Sequence, residues 1–129
     1  FLQLILPEWV EDLSPQKLDQ RLLDYWPGPL TLVVRNMKGG TTAYRAPDNK
    51  FLTDLLERVG APLYSTSVNR AGNPPLNDIG VIIKEFGASV PLIINGGDLP
   101  EAIPSTLLDV TTDQWKVLRQ GALRIPVKE

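Results

Sequence analysis

Proline and glycine cut this sequence so often that only short strands and short helices can form, and this punctuation constrains the fold more than any other feature. The apolar run Phe1–Leu6 is closed by Pro7. Leu30–Arg35 lies between Trp26-Pro-Gly-Pro29 and a turn at Asn36–Gly40, and Thr42–Ala46 is closed by Pro47. Each reads as a short strand. Helical spacing fills the intervals. Ser14-Pro15 has the form of an N-cap followed by a first-turn proline, with Leu18, Leu22 and Tyr25 spaced along one helix face. Asp48 suits the N-cap of a second helix carrying Phe51, Leu52, Leu55, Leu56 and Val59, and Gly60 stands where a C-terminal cap belongs. A third helix is expected over about Asn77–Phe86, ending at Gly87. Further strands are expected over Pro62–Val68, Val90–Ile94, Thr106–Val110, Trp115–Arg119 and Ala122–Ile125, with a tight turn at Asn95-Gly96-Gly97. Strands that alternate with helices and then close in a strand-rich meander predict an α/β fold with a mixed sheet. No repeat, low-complexity tract or linker divides the 129 residues, so one domain is expected.

Two absences narrow the chemistry. There is no Cys, which excludes disulfides and thiolate nucleophiles, and no His, which removes the commonest general base and metal ligand. Any reaction must rest on hydroxyls, amides, carboxylates, Arg and Lys. The net charge of -2 excludes an overall basic field for nucleic acid but leaves room for a local basic face. No apolar run approaches the roughly 20 residues of a membrane span. Phe1–Leu6 is too short for a signal peptide, so a cytoplasmic protein is expected. A strand-like run that opens at Phe1 rather than Met leads us to expect residues before it. Walker A, GxGxxG, HExxH and EF-hand strings do not occur, and no metal cage is expected.

Four constellations could still bind a ligand. Arg45, in Thr41-Thr-Ala-Tyr-Arg-Ala-Pro47, reads either as a solvated surface cation or as a planar clamp for carboxylate or phosphate. In Pro62-Leu-Tyr-Ser-Thr-Ser-Val-Asn-Arg-Ala-Gly-Asn-Pro-Pro75, Ser67 and Asn69 place small hydrogen-bonding groups at the end of an apolar strand, where open α/β sheets bind ligands. A capped strand end followed by a turn explains the same residues. Ser105, in Pro104-Ser-Thr-Leu-Leu-Asp109, opens a strand. Arg119, in Trp115-Lys-Val-Leu-Arg-Gln-Gly121, precedes a turn glycine.

Taken in order, these strings and the earlier Trp26-Pro-Gly-Pro-Leu-Thr31 resemble the YrdC-like domain family, the fold of threonylcarbamoyl-AMP synthases. TSVNRAGNP stands where the family reads similar to TSANxSGxP, with Val68 for Ala and Ala71 for Ser. The resemblance covers roughly Phe1 to Pro126 and implies a twisted, open mixed sheet with flanking helices. It implies condensation of L-threonine, bicarbonate or CO2, and ATP into threonylcarbamoyl-AMP with release of pyrophosphate, in service of tRNA modification. It assigns Arg45, Ser67 and Ser105 to threonine, and Thr41, Asn69, Asn77 and Arg119 to ATP, with Asn77 replacing the usual Ser or Thr. No side chain is assigned a catalytic role, and Mg2+ would arrive with ATP. Asp109 is expected to hold neighbouring backbone. The family's opening PTET and KxR strings are not found in this chain, so an N-terminally incomplete domain is expected. The resemblance also admits a non-catalytic module that binds tRNA or double-stranded RNA. A carbamoyl-transfer paralogue with zinc-finger segments would need cysteines.

Overall fold

The computed structural model describes residues 2–97 and 103–126. They form two compact units. One comprises the residues up to Ser65 together with those from Pro104 onward; the other is Thr66–Ile103.

The first unit is built on a six-stranded mixed sheet. Its strands are β1 (Leu2–Leu4), β2 (Leu30–Arg35), β3 (Thr41–Arg45), β4 (Leu63–Ser65), β5 (Thr106–Asp109) and β6 (Lys116–Arg119), in the order β4-β1-β3-β2-β5-β6. β1 runs parallel to β3 and β2 parallel to β5, while the remaining pairs are antiparallel. The register fixes which side chains share a face, because successive residues of a strand point to opposite sides. Leu32 lies opposite Tyr44 on β3 and Leu108 on β5. These residues form the main core with Ile5, Val10, Leu22, Leu30 and Val34. The helices α1 (Val10–Leu13) and α2 (Gln20–Leu23) cover this face through Val10 and Leu22. On the other side, α3 (Lys50–Val59) packs Leu56 and Leu52 against Leu4, Leu6 and Leu63.

Trp26 closes the corner before β2. Its indole Nε1–H donates to the Leu30 carbonyl at 2.8 Å, and the Trp26–Pro27 peptide is cis. Gly60 ends α3 with φ +71°, a left-handed conformation in which a side chain would be strained.

Among its described residues the second unit contains one helix, α4 (Ile79–Phe86), flanked by segments that are neither helix nor strand. Asp78 caps α4 by accepting from the Val81 N–H at 3.1 Å. Arg70 ties the loop to the helix, with its Nε 3.3 Å from the Glu85 carboxylate and its guanidinium over the Phe86 ring.

Several elements differ from expectation for identifiable reasons. Ser14 does not cap a helix. Its hydroxyl donates to the Arg35 carbonyl, and the Gln16 side chain bridges Val110 O and Arg35 N, so residues 14–18 are pinned to the ends of β2 and β5. The helix starts only where Asp19 accepts from Arg21 N. α3 is capped by Asn49 rather than Asp48, through a 3.0 Å bond from Leu52 N. β4 stops at Ser65 because β1 offers it three partner residues. The third helix starts two residues later than expected, after its Asp78 cap. Val90–Ile94 pairs with no described strand, and Pro91 has no N–H to give a ladder. Residues 122–125 form no strand. Their backbone instead bonds Pro104 O and the Thr106 hydroxyl.

Candidate functional site

In the first unit the polar residues singled out from the sequence gather on one face of the sheet. Arg45 on β3 is the register partner of Thr31 on β2. Cross-strand neighbours of this kind share a face with their Cβ atoms about 5 Å apart. The Thr31 hydroxyl lies 2.7 Å from the Ser105 hydroxyl, which enters the same face just ahead of β5. Arg119 on β6 completes the row. Its Nε and Nη2 donate to the Ser105 carbonyl at 3.1 and 2.9 Å, and Nη2 also reaches the Ser105 hydroxyl at 3.2 Å. Arg45, Ser105 and Arg119, far apart in sequence, are thus brought together, with Thr31 between them.

Gly121 permits this packing. A Cβ there would stand 2.2 Å from Pro104 O and 2.4 Å from Ser105 C, so any side chain would displace the backbone that carries Ser105. Beside it, the buried Thr106 hydroxyl donates to Leu123 O and accepts from the N–H groups of Gly121 and Leu123. Asp109 at the far end of β5 accepts from the Thr111 N–H and hydroxyl, the backbone-holding role expected of it.

The electrostatics of the row are unbalanced. Burial, and secondarily the like charge of Arg119, pull the Arg45 guanidinium below its ordinary pKa. The Arg45 Nε is enclosed without a hydrogen-bond partner. Among the described residues neither Arg45 nor Arg119 forms an ion pair. Two guanidinium groups that repel each other, one with an enclosed and unpaired Nε, have the charge and donor chemistry that suits an anion. Thr41 is not part of this group. It faces Arg35 at the opposite end of β3, about 13 Å along the strand from Arg45 by strand rise.

The second unit has its own polar cluster. The Ser67 hydroxyl donates to Asn69 Oδ1, and the Asn69 amide donates to the carbonyls of Arg70 and Asn73. These bonds fix the loop and aim the amide. Ser67, Asn69 and Asn77 line a cleft of about 610 Å3 whose remaining wall is apolar, including Ile79, Ile82, Phe86 and Ile93. A concave apolar surface with a few convergent polar groups suits a small organic ligand. A larger cleft of about 870 Å3 in the first unit lies on the helical side, between α1, α2 and Trp115. It contains none of the residues singled out above, and its charges are mostly paired with each other or solvated, so it is a weaker candidate.

Sequence reasoning missed Thr31, Gly121 and the apolar wall of the second unit's cleft. Thr31 sits in a string that reads as a structural corner, and only the β2–β5 pairing reveals its partner. Among the described residues no three His, Cys, Asp or Glu side chains gather as metal ligands, and no helix is long and apolar enough to cross a membrane.

A mixed sheet that presents a row of arginines and hydroxyls on one face defines an α/β protein with a candidate anion site. The comparisons with known proteins are more specific. The Sua5/YciO/YrdC family model, described as telomere recombination, matches residues 6–121, and the chain belongs to this family. The chain is 31% identical over 124 residues to threonylcarbamoyl-AMP synthase of Pyrococcus abyssi, spanning 89% of this chain and 36% of that protein. It is 30% identical to threonylcarbamoyl-AMP synthase of Marinobacter nauticus, spanning 80% of this chain and 60% of that protein. Among solved structures it is similar to P. abyssi Sua5 complexed with L-threonine, with a TM-score of 0.81 and 26% identity over 93% of this chain and 39% of that one. It is similar also to E. coli YciO, with a TM-score of 0.81 and 28% identity over 94% of this chain and 65% of that one. The YrdC-like fold inferred from the sequence is therefore the observed one, and the chain spans about a third to two thirds of the length of these relatives.

Proposed function

We propose that this chain is part of a threonylcarbamoyl-AMP synthase, which condenses L-threonine, bicarbonate or CO2, and ATP with release of pyrophosphate, for threonylcarbamoyl modification of tRNA. The observation that carries the reading is the uncompensated Arg45–Arg119 pair beside Ser105, a fit for an amino acid carboxylate and for phosphate. In this reading the terminal amino groups of the Arg45 guanidinium, beyond its enclosed Nε, meet the threonine carboxylate, and Ser105 offers a hydroxyl to the same substrate. Arg119 keeps one amino group beyond its bonds to Ser105, which can face ATP phosphate. In the second unit, Ser67 is assigned to threonine, and Asn69 and Asn77 to the polar edges of ATP above an apolar wall that suits its rings. Thr41 is kept as an ATP contact on the family resemblance alone.

The chemistry asks for little beyond placement. A carbamate formed on the threonine amine attacks the α-phosphate, and pyrophosphate leaves. Proximity and stabilisation of phosphate charge supply the rate, with neither His nor Cys required. Mg2+ would be carried by the ATP phosphates, because the described residues offer it no carboxylate cluster.

Titration calorimetry of L-threonine and ATP tests the reading, on this chain and on a form extended at its N terminus with the PTET and KxR strings that the family resemblance implies. The extended form is expected to bind both ligands, and this chain to bind ATP more weakly. No binding of either ligand by the extended form would overturn the proposal. Salt-dependent tRNA binding without ATP turnover would favour the RNA-binding module instead.

A further inference from the structure

Thr31 and Ser105 are both almost closed to solvent, at 2% and 5% exposure, and their hydroxyls are 2.7 Å apart. A hydroxyl has one proton to donate and two lone pairs with which to accept. Arg119 Nη2 can only donate, so it occupies one lone pair of the Ser105 oxygen. The Thr31 hydroxyl has the Ser105 hydroxyl as its only side-chain partner among the described residues. If Thr31 donates, both lone pairs of Ser105 are filled, and its proton is left to point at whatever lies on the sheet face. If Thr31 accepts instead, that proton is consumed inside the protein, and Ser105 can offer a ligand only a lone pair.

The first arrangement matches the surroundings. The site between Arg45 and Arg119 is made for an anion, and an anion needs donors. We infer that Thr31 is a positioning residue that donates to Ser105 and thereby turns the Ser105 proton toward the bound carboxylate. Thr31 touches no substrate in this arrangement. It acts through Ser105, and through its place opposite Arg45 it couples the two groups that meet the ligand. The inference rests on the reading of this face as the threonine site, and it adds a residue that the motif comparison leaves in a structural corner.

The test uses the N-terminally extended form, titrated separately with L-threonine and with ATP. Thr31→Val keeps the volume and the β-branched shape but removes the hydroxyl, and Thr31→Ser keeps the hydroxyl. Thr31→Val is expected to weaken L-threonine about tenfold, the scale of one lost hydrogen bond to a charged partner, while ATP affinity stays within about twofold. Thr31→Ser is expected to restore the threonine affinity of the parent. A Thr31→Val variant that binds L-threonine as the parent does would overturn the inference. So would a loss shared equally by both ligands and not restored by Thr31→Ser, because that is the mark of a packing role. A parent that binds ATP but no L-threonine would fail at the reading of the site itself, which the unsubstituted protein alone reveals.

Discussion

The two units place their candidate ligand groups by different physics. In the first, Arg45, Thr31 and Arg119 stand on three strands of the sheet and Ser105 just ahead of a fourth, backed by a core in which Ile5, Leu22, Leu30, Leu32 and Leu108 are fully buried. In the second, no described residue is fully buried, and Ser67 and Asn69 are held by local bonds within one loop. Sheet positions are set by long-range pairing and are costly to move. Loop positions are set by a few exposed hydrogen bonds and open at low free energy. The row of arginines and hydroxyls is thus held rigidly, whereas the amide cluster is free to shift.

The largest expected effect breaks that contrast if it fails. Leu32→Ala empties a site at the centre of the core and is expected to destabilise the protein by about 3–5 kcal/mol in urea denaturation. Ile83→Ala, on the half-exposed face of α4, is expected to change stability by less than about 0.5 kcal/mol. Comparable losses for the two would show that the second unit has a core of similar weight. Next in size, Arg45→Met removes an enclosed cation that repels Arg119. It is expected to cost about a hundredfold in L-threonine affinity, on the scale of a buried charged hydrogen bond, while the denaturation midpoint stays level or rises. A variant that loses binding and stability together would mean that Arg45 is a structural group.

The same contrast explains what could be read in the sequence. β2 was legible to the residue, because Leu30–Arg35 is apolar and bounded on both sides by turn formers. The cap and C-terminal glycine of α3 were legible to within one residue, since Asp48 and Asn49 are equally good caps by type. What could not be read depends on partners distant in sequence. Ser14 has the chemistry of an N-cap and its Oγ accepts from the Gln16 N–H, yet no helix starts there, because its hydroxyl proton and the Gln16 side chain are held by Arg35 and Val110, distant in sequence. Val90–Ile94 has the composition of a strand, yet among the described residues it finds no ladder partner, and Pro91 within it was the one local sign against pairing. In the site, Arg45, Ser105 and Arg119 could be picked out by their order along the chain. Thr31 could not, because its partner is 74 residues away and is supplied by the parallel pairing of β2 with β5.

Arg119 sharpens the contrast within the first unit. Its guanidinium already holds the Ser105 carbonyl, so it has both a structural and a ligand-facing side. Arg119→Ala is expected to weaken ATP roughly tenfold, the scale of one charge-assisted bond, and L-threonine by a smaller factor transmitted through Ser105. Calorimetry with each ligand separates the two. Equal losses would remove Arg119 from the phosphates and leave it as a support for Ser105 alone.

The smallest expected effects compare the units with matched chemistry. Asn49 and Asp78 each cap a helix in the same way, accepting from the third helical N–H at 3.0 and 3.1 Å. Replacing either with Ala should cost its own helix about 1 kcal/mol. The helices differ in what depends on them. α3 buries Leu56 against β1 and β4, so a cap lost there is expected to lower the midpoint of global unfolding. α4 contributes no fully buried residue, so a cap lost there is expected to speed hydrogen exchange along α4 and leave the global midpoint nearly unchanged. A global shift of equal size from Asp78→Ala would show that the two units unfold as one cooperative structure. In that case the loop carrying Ser67 and Asn69 would be held by the stability of the whole sheet, and its freedom to adjust to a ligand would have to be given up.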